Sequence, residues 1–239
     1  MPERSIASAT VASDVTRWLH LLHFAAAAAL SLAGVGASPV CAQTHKAVAG
    51  ESAASAGSTA STAGAVVYAE RFRAVCAACH GANGRSEMAG TPVLAGQHSL
   101  YVITQLFLFR EGRRKNEAMV GLAKQMTDAD LRGFSDYIGT LPPMPGPAPA
   151  VPPDAARMDK AQVLAKEYKC VYCHGADLAG GQGVPRIGGQ KEEYVRTTLL
   201  GLKSGERPGY TRAMTEALSQ VPAEDMALLA YYVANITGK

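Results

Sequence analysis

The chain has 239 residues, which is room for one large domain or two small ones. Aromatic residues make up only 6% of it, so something other than aromatic side chains is expected to fill the cores. The formal net charge of +3 is too small to indicate a nucleic-acid-binding protein, although a weakly basic surface suits an acidic partner.

Residues 1–42 are predicted to be a signal peptide. Arginines precede an apolar run over residues 19–33, and the small residues that follow favour cleavage after Ala42. The run is short for a membrane span, and no later stretch approaches about 18 apolar residues. We therefore expect export to the periplasm as a soluble protein. An uncleaved anchor is the alternative, and a lipoprotein built on Cys41 fits less well.

Two segments of biased composition divide the remaining chain. Residues 43–64 are almost entirely small and polar, so they are predicted to form a flexible leader that cannot offset its ordering entropy. Residues 142–154 are rich in proline, which predicts a stiff, extended linker. Two folded units remain, at residues 65–141 and 155–239.

The two units are copies of one another. Three residues of the first unit recur 94 positions later: Cys76, Cys79 and His80 match Cys170, Cys173 and His174. The segment "PVLAGQ" matches "PRIGGQ" at a shift of 93, and Met119 matches Met214 at a shift of 95. A shift that drifts so little indicates small loop changes within a duplicated unit.

Each unit is predicted to contain three main helices, without any strand pattern. The helices are expected at about 65–78, 99–112 and 127–140, and at about 158–172, 191–204 and 222–237. Thr127 is a candidate N-cap with Asp130 three residues on, and Pro222 stands at a helix start. Units of this size have marginal cores, and a large buried prosthetic group would supply the missing apolar interior.

The pattern Cys-x-x-Cys-His occurs once in each unit, and four interpretations compete for it. Two Cys-x-x-Cys pairs could bind one zinc ion, but they lie in different units and each is followed by His. Each pair could be a redox disulfide, but the expected strand–helix–strand context is missing. A structural cluster repeated by chance is the third. The pattern favours the fourth, covalent attachment of a c-type haem.

The spacing has a physical basis. Cysteines three residues apart near a helix end lie on one side of it, where they can add to the two vinyl groups of a haem. The histidine that follows then reaches the iron. The predicted cofactors are two haem c groups, held by Cys76, Cys79 and His80 in the first unit and by Cys170, Cys173 and His174 in the second.

The sixth iron ligand must recur at a similar place in both units. Histidine does not qualify, because His98 has no counterpart and the others outside the motifs precede the first unit. Methionine does, because Met119 follows His80 by 39 residues and Met214 follows His174 by 40. Both methionines are predicted to lie in loops before the last helix. Four others are assigned to packing or have no counterpart: Met88, Met126, Met144 and Met226.

Ligation by one histidine and one methionine has a functional meaning. A thioether stabilises ferrous haem and raises its reduction potential. Because both axial positions are filled, oxygen or peroxide has no open position to bind. The predicted sites are therefore suited to outer-sphere electron transfer rather than to oxygen chemistry, and no catalytic residue is assigned.

These residues resemble the class I cytochromes c, and the tandem arrangement is similar to the cytochrome c4 family of periplasmic dihaem cytochromes. The resemblance covers about residues 70–239, and it is also carried by "FREGRR" and "LKSGER". It implies an all-α fold of two tandem class I cytochrome c domains, each with one covalently bound haem c. The two domains would face each other, so that electrons pass over a short distance between the haems.

The resemblance also implies a role for one proline in each unit. The carbonyls of Pro92 and Pro185 would accept a hydrogen bond from the Nδ1–H of His80 and His174, respectively, and so orient each imidazole. The alternative is that each proline only forms a loop turn.

Three functions remain open at this point. The first is a dihaem electron carrier rather than an enzyme. The resemblance supplies its redox partners: a quinol-oxidising complex or dehydrogenase as donor, and a terminal oxidase or reductase as acceptor. The second is the cytochrome subunit of a dehydrogenase complex. The third is a dihaem peroxidase, which would need an open or His-ligated haem. No nucleic-acid partner is expected, and any membrane association would be loose.

Overall fold

The structure is a computed structural model that describes residues 56–181, 183–207 and 211–236. The predicted signal peptide and the first part of the predicted leader lie outside these ranges. The described residues contain ten helices and no strand, only one isolated β-bridge between Gly181 and Val184. None of the described helices is long and apolar enough to cross a membrane. The prediction of an all-α fold is confirmed.

Five helices belong to the first repeat. In chain order they are α1 (Ala56–Val75), α2 (Ala77–His80), α3 (Ser99–Arg110), α4 (Glu117–Ala123) and α5 (Asp128–Thr140). Helix α5 packs against α1 and α3, and α4 packs against α3. The buried side chains of this core are Phe72, Val102, Leu106, Leu131, Phe134 and Ile138.

The second repeat has the same order of elements. Its helices are α6 (Ala155–Glu167), α7 (Cys170–His174), α8 (Glu192–Ser204), α9 (Arg212–Ser219) and α10 (Ala223–Asn235). Helix α10 packs against α6 and α8, and α9 packs against α8. Met226 is fully buried in this core, so its predicted packing role is confirmed.

The starts of the last helices follow from local sequence. The Thr127 side chain accepts a bond from the Asp130 backbone N–H, and the Asp130 carboxylate accepts one from the Thr127 N–H, which is a capping box. Pro222 occupies the N-cap of α10, where its missing N–H costs nothing. Both sequence-based predictions of helix starts are confirmed.

Two features differ from the predicted helices. Helix α1 begins at Ala56, nine residues before the predicted start, so the end of the predicted leader is helical. The prediction that Met119 and Met214 lie in loops is wrong: they lie in the short helices α4 and α9. Asn116 caps α4 by accepting a bond from the Met119 N–H at 3.0 Å.

A tyrosine ties the first helix to the last in each repeat. The Tyr68 hydroxyl lies 3.2 Å from the Asp130 carboxylate, and its ring packs so closely on Gly133 that no Cβ would fit there. In the second repeat the Tyr168 hydroxyl donates to Asp225 at 2.7 Å. The two aspartates occupy equivalent positions, whereas the tyrosines come from different turns of their helices.

The proline-rich linker contacts both repeats. Pro143 packs so closely on Gly96 that a Cβ there would lie 2.6 Å from the Pro143 Cα, and the Gly146 N–H donates to the Gly189 carbonyl at 2.7 Å. Arg85 Nε donates to the Pro145 carbonyl at 3.0 Å. The linker therefore packs against Gly96 of "PVLAGQ" and Gly189 of "PRIGGQ".

Candidate haem-binding sites

The two Cys-x-x-Cys-His motifs form matching helical turns. In each, the first cysteine is half-buried and the second is exposed, and the four thiols of these motifs are free. The glycine after each histidine ends the turn with a positive φ, +78° at Gly81 and +81° at Gly175. A Cβ at Gly81 would lie 2.4 Å from the Arg85 carbonyl oxygen, so the turn requires glycine there.

The histidine of each motif is buried and bonded to a proline carbonyl. His80 Nδ1 lies 3.0 Å from the Pro92 oxygen, and His174 Nδ1 lies 3.0 Å from the Pro185 oxygen. Because a carbonyl can only accept, Nδ1 carries the proton in both rings, and Nε2 keeps its lone pair. This is the tautomer that an axial iron ligand needs, and it is the geometry that the sequence analysis predicts.

The electrostatics of both histidines favour the neutral ring. Burial lowers the pKa of His80, as do the charges of Lys191 and Arg114, against the opposing effect of the Pro92 bond. Burial likewise lowers the pKa of His174, again opposed by its proline carbonyl. A neutral imidazole is the form that binds a metal ion.

The predicted methionine ligands lie beside the cores that the first cysteines contact. Met119 and Cys76 are both half-buried and pack against the core of the first repeat. Met214 and Cys170 pack in the same way against the core of the second. Burial raises the pKa of the Cys76 thiol to about 11 and raises that of Cys170.

The donor set fits haem c rather than the alternatives. Each repeat offers two free thiols for thioether bonds, one neutral imidazole and methionine thioether sulfurs that include Met119 in the first repeat and Met214 in the second. A zinc site would need several His, Cys, Asp or Glu side chains to converge, and no group of three or more does so among the described residues.

Two glutamines exchange hydrogen bonds between the repeats. Gln97 Nε2 donates to the Arg186 carbonyl at 3.0 Å, and the Arg186 N–H donates to Gln97 Oε1 at 3.0 Å. Gln190 makes the equivalent pair with Val93, at 2.9 Å each. Val93 and Arg186 follow the two prolines that bond the histidines. The glutamine of each repeat therefore hydrogen-bonds the backbone directly after the proline that bonds the other repeat's histidine.

Two arginines make a second exchange. Arg114 Nη2 donates to the Tyr194 hydroxyl at 2.9 Å, and Arg207 Nη2 donates to the Tyr101 hydroxyl at 3.2 Å. Arg207 also reaches Tyr194, at 3.4 Å. Burial opposes the charged phenolate of Tyr194, but the two arginines outweigh burial and lower its pKa to about 8.

Sequence reasoning did not assign these contacts between the repeats. Gln97, Gln190, Arg114 and Arg207 all lie in the paired segments that carry the resemblance, at a constant shift of 93. The constant shift could have identified these residues, because polar residues that recur at the same place in both repeats indicate a shared structural role. Their partners could not be identified, since most are backbone groups or residues about 80–106 positions away.

Two all-helical repeats with matching Cys-x-x-Cys-His turns, proline-bonded histidines and methionines packed against each core define a tandem cytochrome c. A family model described as cytochrome c matches residues 61–142. The thiosulfate dehydrogenase electron acceptor of Thiomonas intermedia is 32% identical over 170 residues, 67% of this chain and 78% of that protein. The cytochrome c4 of Thiocapsa roseopersicina is 30% identical over 174 residues, 68% of this chain and 88% of that protein.

A solved structure supports the same assignment. The reduced recombinant cytochrome c4 from Pseudomonas stutzeri superposes with a TM-score of 0.65 and 26% identity, covering 72% of this chain and 98% of that one. The chain belongs to the cytochrome c4 family of tandem class I cytochromes c. It is an electron-transfer cytochrome with covalently bound haem c, as the resemblance implies.

Proposed function

We propose that the chain carries single electrons between a periplasmic dehydrogenase or quinol-oxidising complex and a terminal oxidase or reductase. Its two cytochrome domains would span residues 65–141 and 155–239, joined by the linker at 142–154, with α1 extending the first domain towards Ala56. Each bound haem c would alternate between the ferrous and ferric states and so hold one electron.

The ligand assignment is part of the proposal, in these roles. Thioether bonds form at Cys76, Cys79, Cys170 and Cys173, the proximal ligands are His80 and His174, and the distal ligands are Met119 and Met214. The carbonyls of Pro92 and Pro185 hold the proximal rings. The observation that carries the assignment of the histidines is the bond of 3.0 Å from each Nδ1 to its proline, which leaves both Nε2 atoms available.

Sulfur–iron ligation gives the oxidised protein a weak near-infrared band that tests the methionines. Met119→Ala and Met214→Ala should each remove about half of the band, because each abolishes one thioether ligand. Met126→Ala is the matched control in the first domain, and it should leave the band intact. A full band in Met119→Ala would show that another residue ligates the first haem.

The donor is proposed from a relative. The Thiomonas intermedia protein is named as an electron acceptor of thiosulfate dehydrogenase, which supports a dehydrogenase as donor here. The purified chain, oxidised and mixed with such an enzyme and thiosulfate, should be reduced rapidly at both haems. A stable stoichiometric complex with the dehydrogenase would instead support the alternative of a bound cytochrome subunit, and no reduction would contradict this donor.

Periplasmic location is proposed from the predicted signal peptide. N-terminal sequencing of the mature protein from a periplasmic extract should begin at Gln43, after cleavage at Ala42. Recovery of the uncleaved chain in the membrane fraction would indicate the anchor instead.

A further inference from the structure

The two glutamine exchanges are equivalent, but the residues that they brace differ in charge. Val93 and Arg186 occupy the same place in their repeats, directly after the proline that bonds the histidine. Both use only their backbone groups in the exchange. The Val93 side chain is buried and apolar, whereas Arg186 brings a guanidinium to the same boundary.

The guanidinium of Arg186 is incompletely satisfied. Its Nε is buried and has no hydrogen-bond partner among the described residues. It borders a cavity of about 10 Å³ whose other described lining is uncharged and includes Gln97, Met144 and Gln190. A buried N–H without a hydrogen-bond partner is costly, and an acceptor oxygen in this cavity would satisfy it.

The position of Arg186 indicates which acceptor group lies nearest to its side chain. The segments that meet there are those that follow Pro92 and Pro185, so the guanidinium lies next to the peptides that hold both proximal histidines. Haem c carries two propionate carboxylates that neither the thioether bonds nor the axial ligands neutralise. The cavity has room for about one water-sized atom, which a carboxylate oxygen matches.

We propose that Arg186 binds a haem propionate at the boundary between the two repeats. This inference rests on the proposed haem ligation and adds an anion-binding residue to it. An arginine and a carboxylate form a charge-assisted pair in which Nε and one Nη can both donate. The pair lowers the pKa of the propionate. The Arg186 cation also disfavours the ferric state, whose iron carries one more positive charge than the ferrous state, and so raises the midpoint potential.

Midpoint potentials measured across a range of pH test the proposal. Arg186→Gln should lower one midpoint potential by about 59 mV, a roughly tenfold change in the reduction equilibrium. Protonation of a propionate raises the potential as pH falls. Without its cation partner the propionate has a higher pKa, so this rise should begin at higher pH in the variant.

The controls separate charge at this place from charge elsewhere. Arg196→Gln removes the same charge from an exposed site on α8 and should leave both potentials and their pH profiles nearly unchanged. Arg186→Lys should retain most of the effect of the native residue. Val93→Arg places the same cation at the equivalent site and should raise a potential, which keeps the proposal testable if Arg186→Gln folds poorly.

Several outcomes would overturn the inference. If Arg186→Gln and Arg196→Gln have the same potentials and pH profiles, the cation has no propionate partner. If the shift appears only when phosphate is added to the buffer, the partner is a free anion. Absence of the sulfur–iron band from the unmodified protein would contradict the proposed ligation itself, which makes the two failures distinguishable.

Discussion

The two repeats agree in the hydrogen bonds around their motif histidines and differ in the contact between their first and last helices. Both bond a buried histidine to a proline carbonyl at 3.0 Å, and both reach across to the other repeat through a glutamine. The tie between first and last helix has diverged, because Tyr68 packs on Gly133 whereas the equivalent position in the second repeat is Leu228. The hydrogen bonds around the histidines are therefore repeated more closely than the packing between the first and last helices.

The largest expected effect compares the two glutamine exchanges. Gln190→Leu leaves the buried N–H and carbonyl of Val93 unpaired, and it should lower the free energy of unfolding by about 3 kcal/mol. Gln97→Leu affects the less buried backbone of Arg186 and should cost about 2 kcal/mol. Denaturant unfolding measures both.

The exposed Gln125→Leu serves as the control for these variants and should change stability little. Equal losses for Gln97→Leu and Gln190→Leu would show that the two exchanges do not differ in burial. Losses no larger than that of the control would contradict a structural role for either.

Gly133→Ala tests the packing that is specific to the first repeat. The new Cβ would lie 1.9 Å from the Tyr68 ring, so the ring must move, and stability should fall by about 2 kcal/mol. In a Tyr68→Ala background the same substitution should cost much less, because the clash is gone. Thermal unfolding of the four proteins gives this coupling.

Gly121→Ala is the matched control, since it makes the same change within α4 where a Cβ meets nothing within 4 Å. Helix propensity alone should then stabilise the protein slightly. A loss in Gly133→Ala that persists without the Tyr68 ring would assign the effect to the backbone.

Tyr194→Phe tests the arginine exchange through its pH dependence. The pKa of Tyr194 is lowered to about 8, so the folded state favours the phenolate relative to an unfolded tyrosine near 10. The resulting stability is lost as pH falls through 8, grows between pH 8 and 10, and is complete above 10. The difference in unfolding free energy between native and variant protein should widen by up to about 2 kcal/mol across that range.

Tyr137→Phe removes a hydroxyl from the first repeat, away from both arginines, and serves as the control. A difference between the native and Tyr194→Phe proteins that stays constant from pH 7 to 10 would contradict the charge-based interpretation.

The smallest expected effect concerns the capping of the two methionine helices. Asn116 accepts the Met119 N–H, whereas the equivalent Thr211 makes no side-chain cap bond. Asn116→Ala should destabilise α4 by about 1 kcal/mol. In a Met214→Ala background, where only the first site contributes, the sulfur–iron band should then be lost at a lower temperature.

Thr211→Ala, tested in a Met119→Ala background, should leave the thermal loss of the remaining band unchanged. A shift as large as that of Asn116→Ala would show that the cap bond is not the cause of the difference.

The sequence allowed the fold class, the repeat and the Cys-x-x-Cys-His turns to be predicted, because each depends on local patterns. The capping box at Thr127 followed from adjacent residues in the same way. The short helices at Met119 and Met214 were missed, since seven or eight residues carry too little periodicity to separate a helix from a loop. The contacts between the repeats were missed because their register depends on how two folded surfaces meet.

The glutamine exchange also has an evolutionary consequence. Each glutamine recognises a peptide group rather than a side chain, so the residue at position 93 or 186 can be replaced without loss of recognition. A duplicated gene could therefore keep its internal symmetry while one copy acquired a new charge beside its redox centre. Both positions therefore tolerate different side chains, and the protein has a buried valine at one and an arginine at the other.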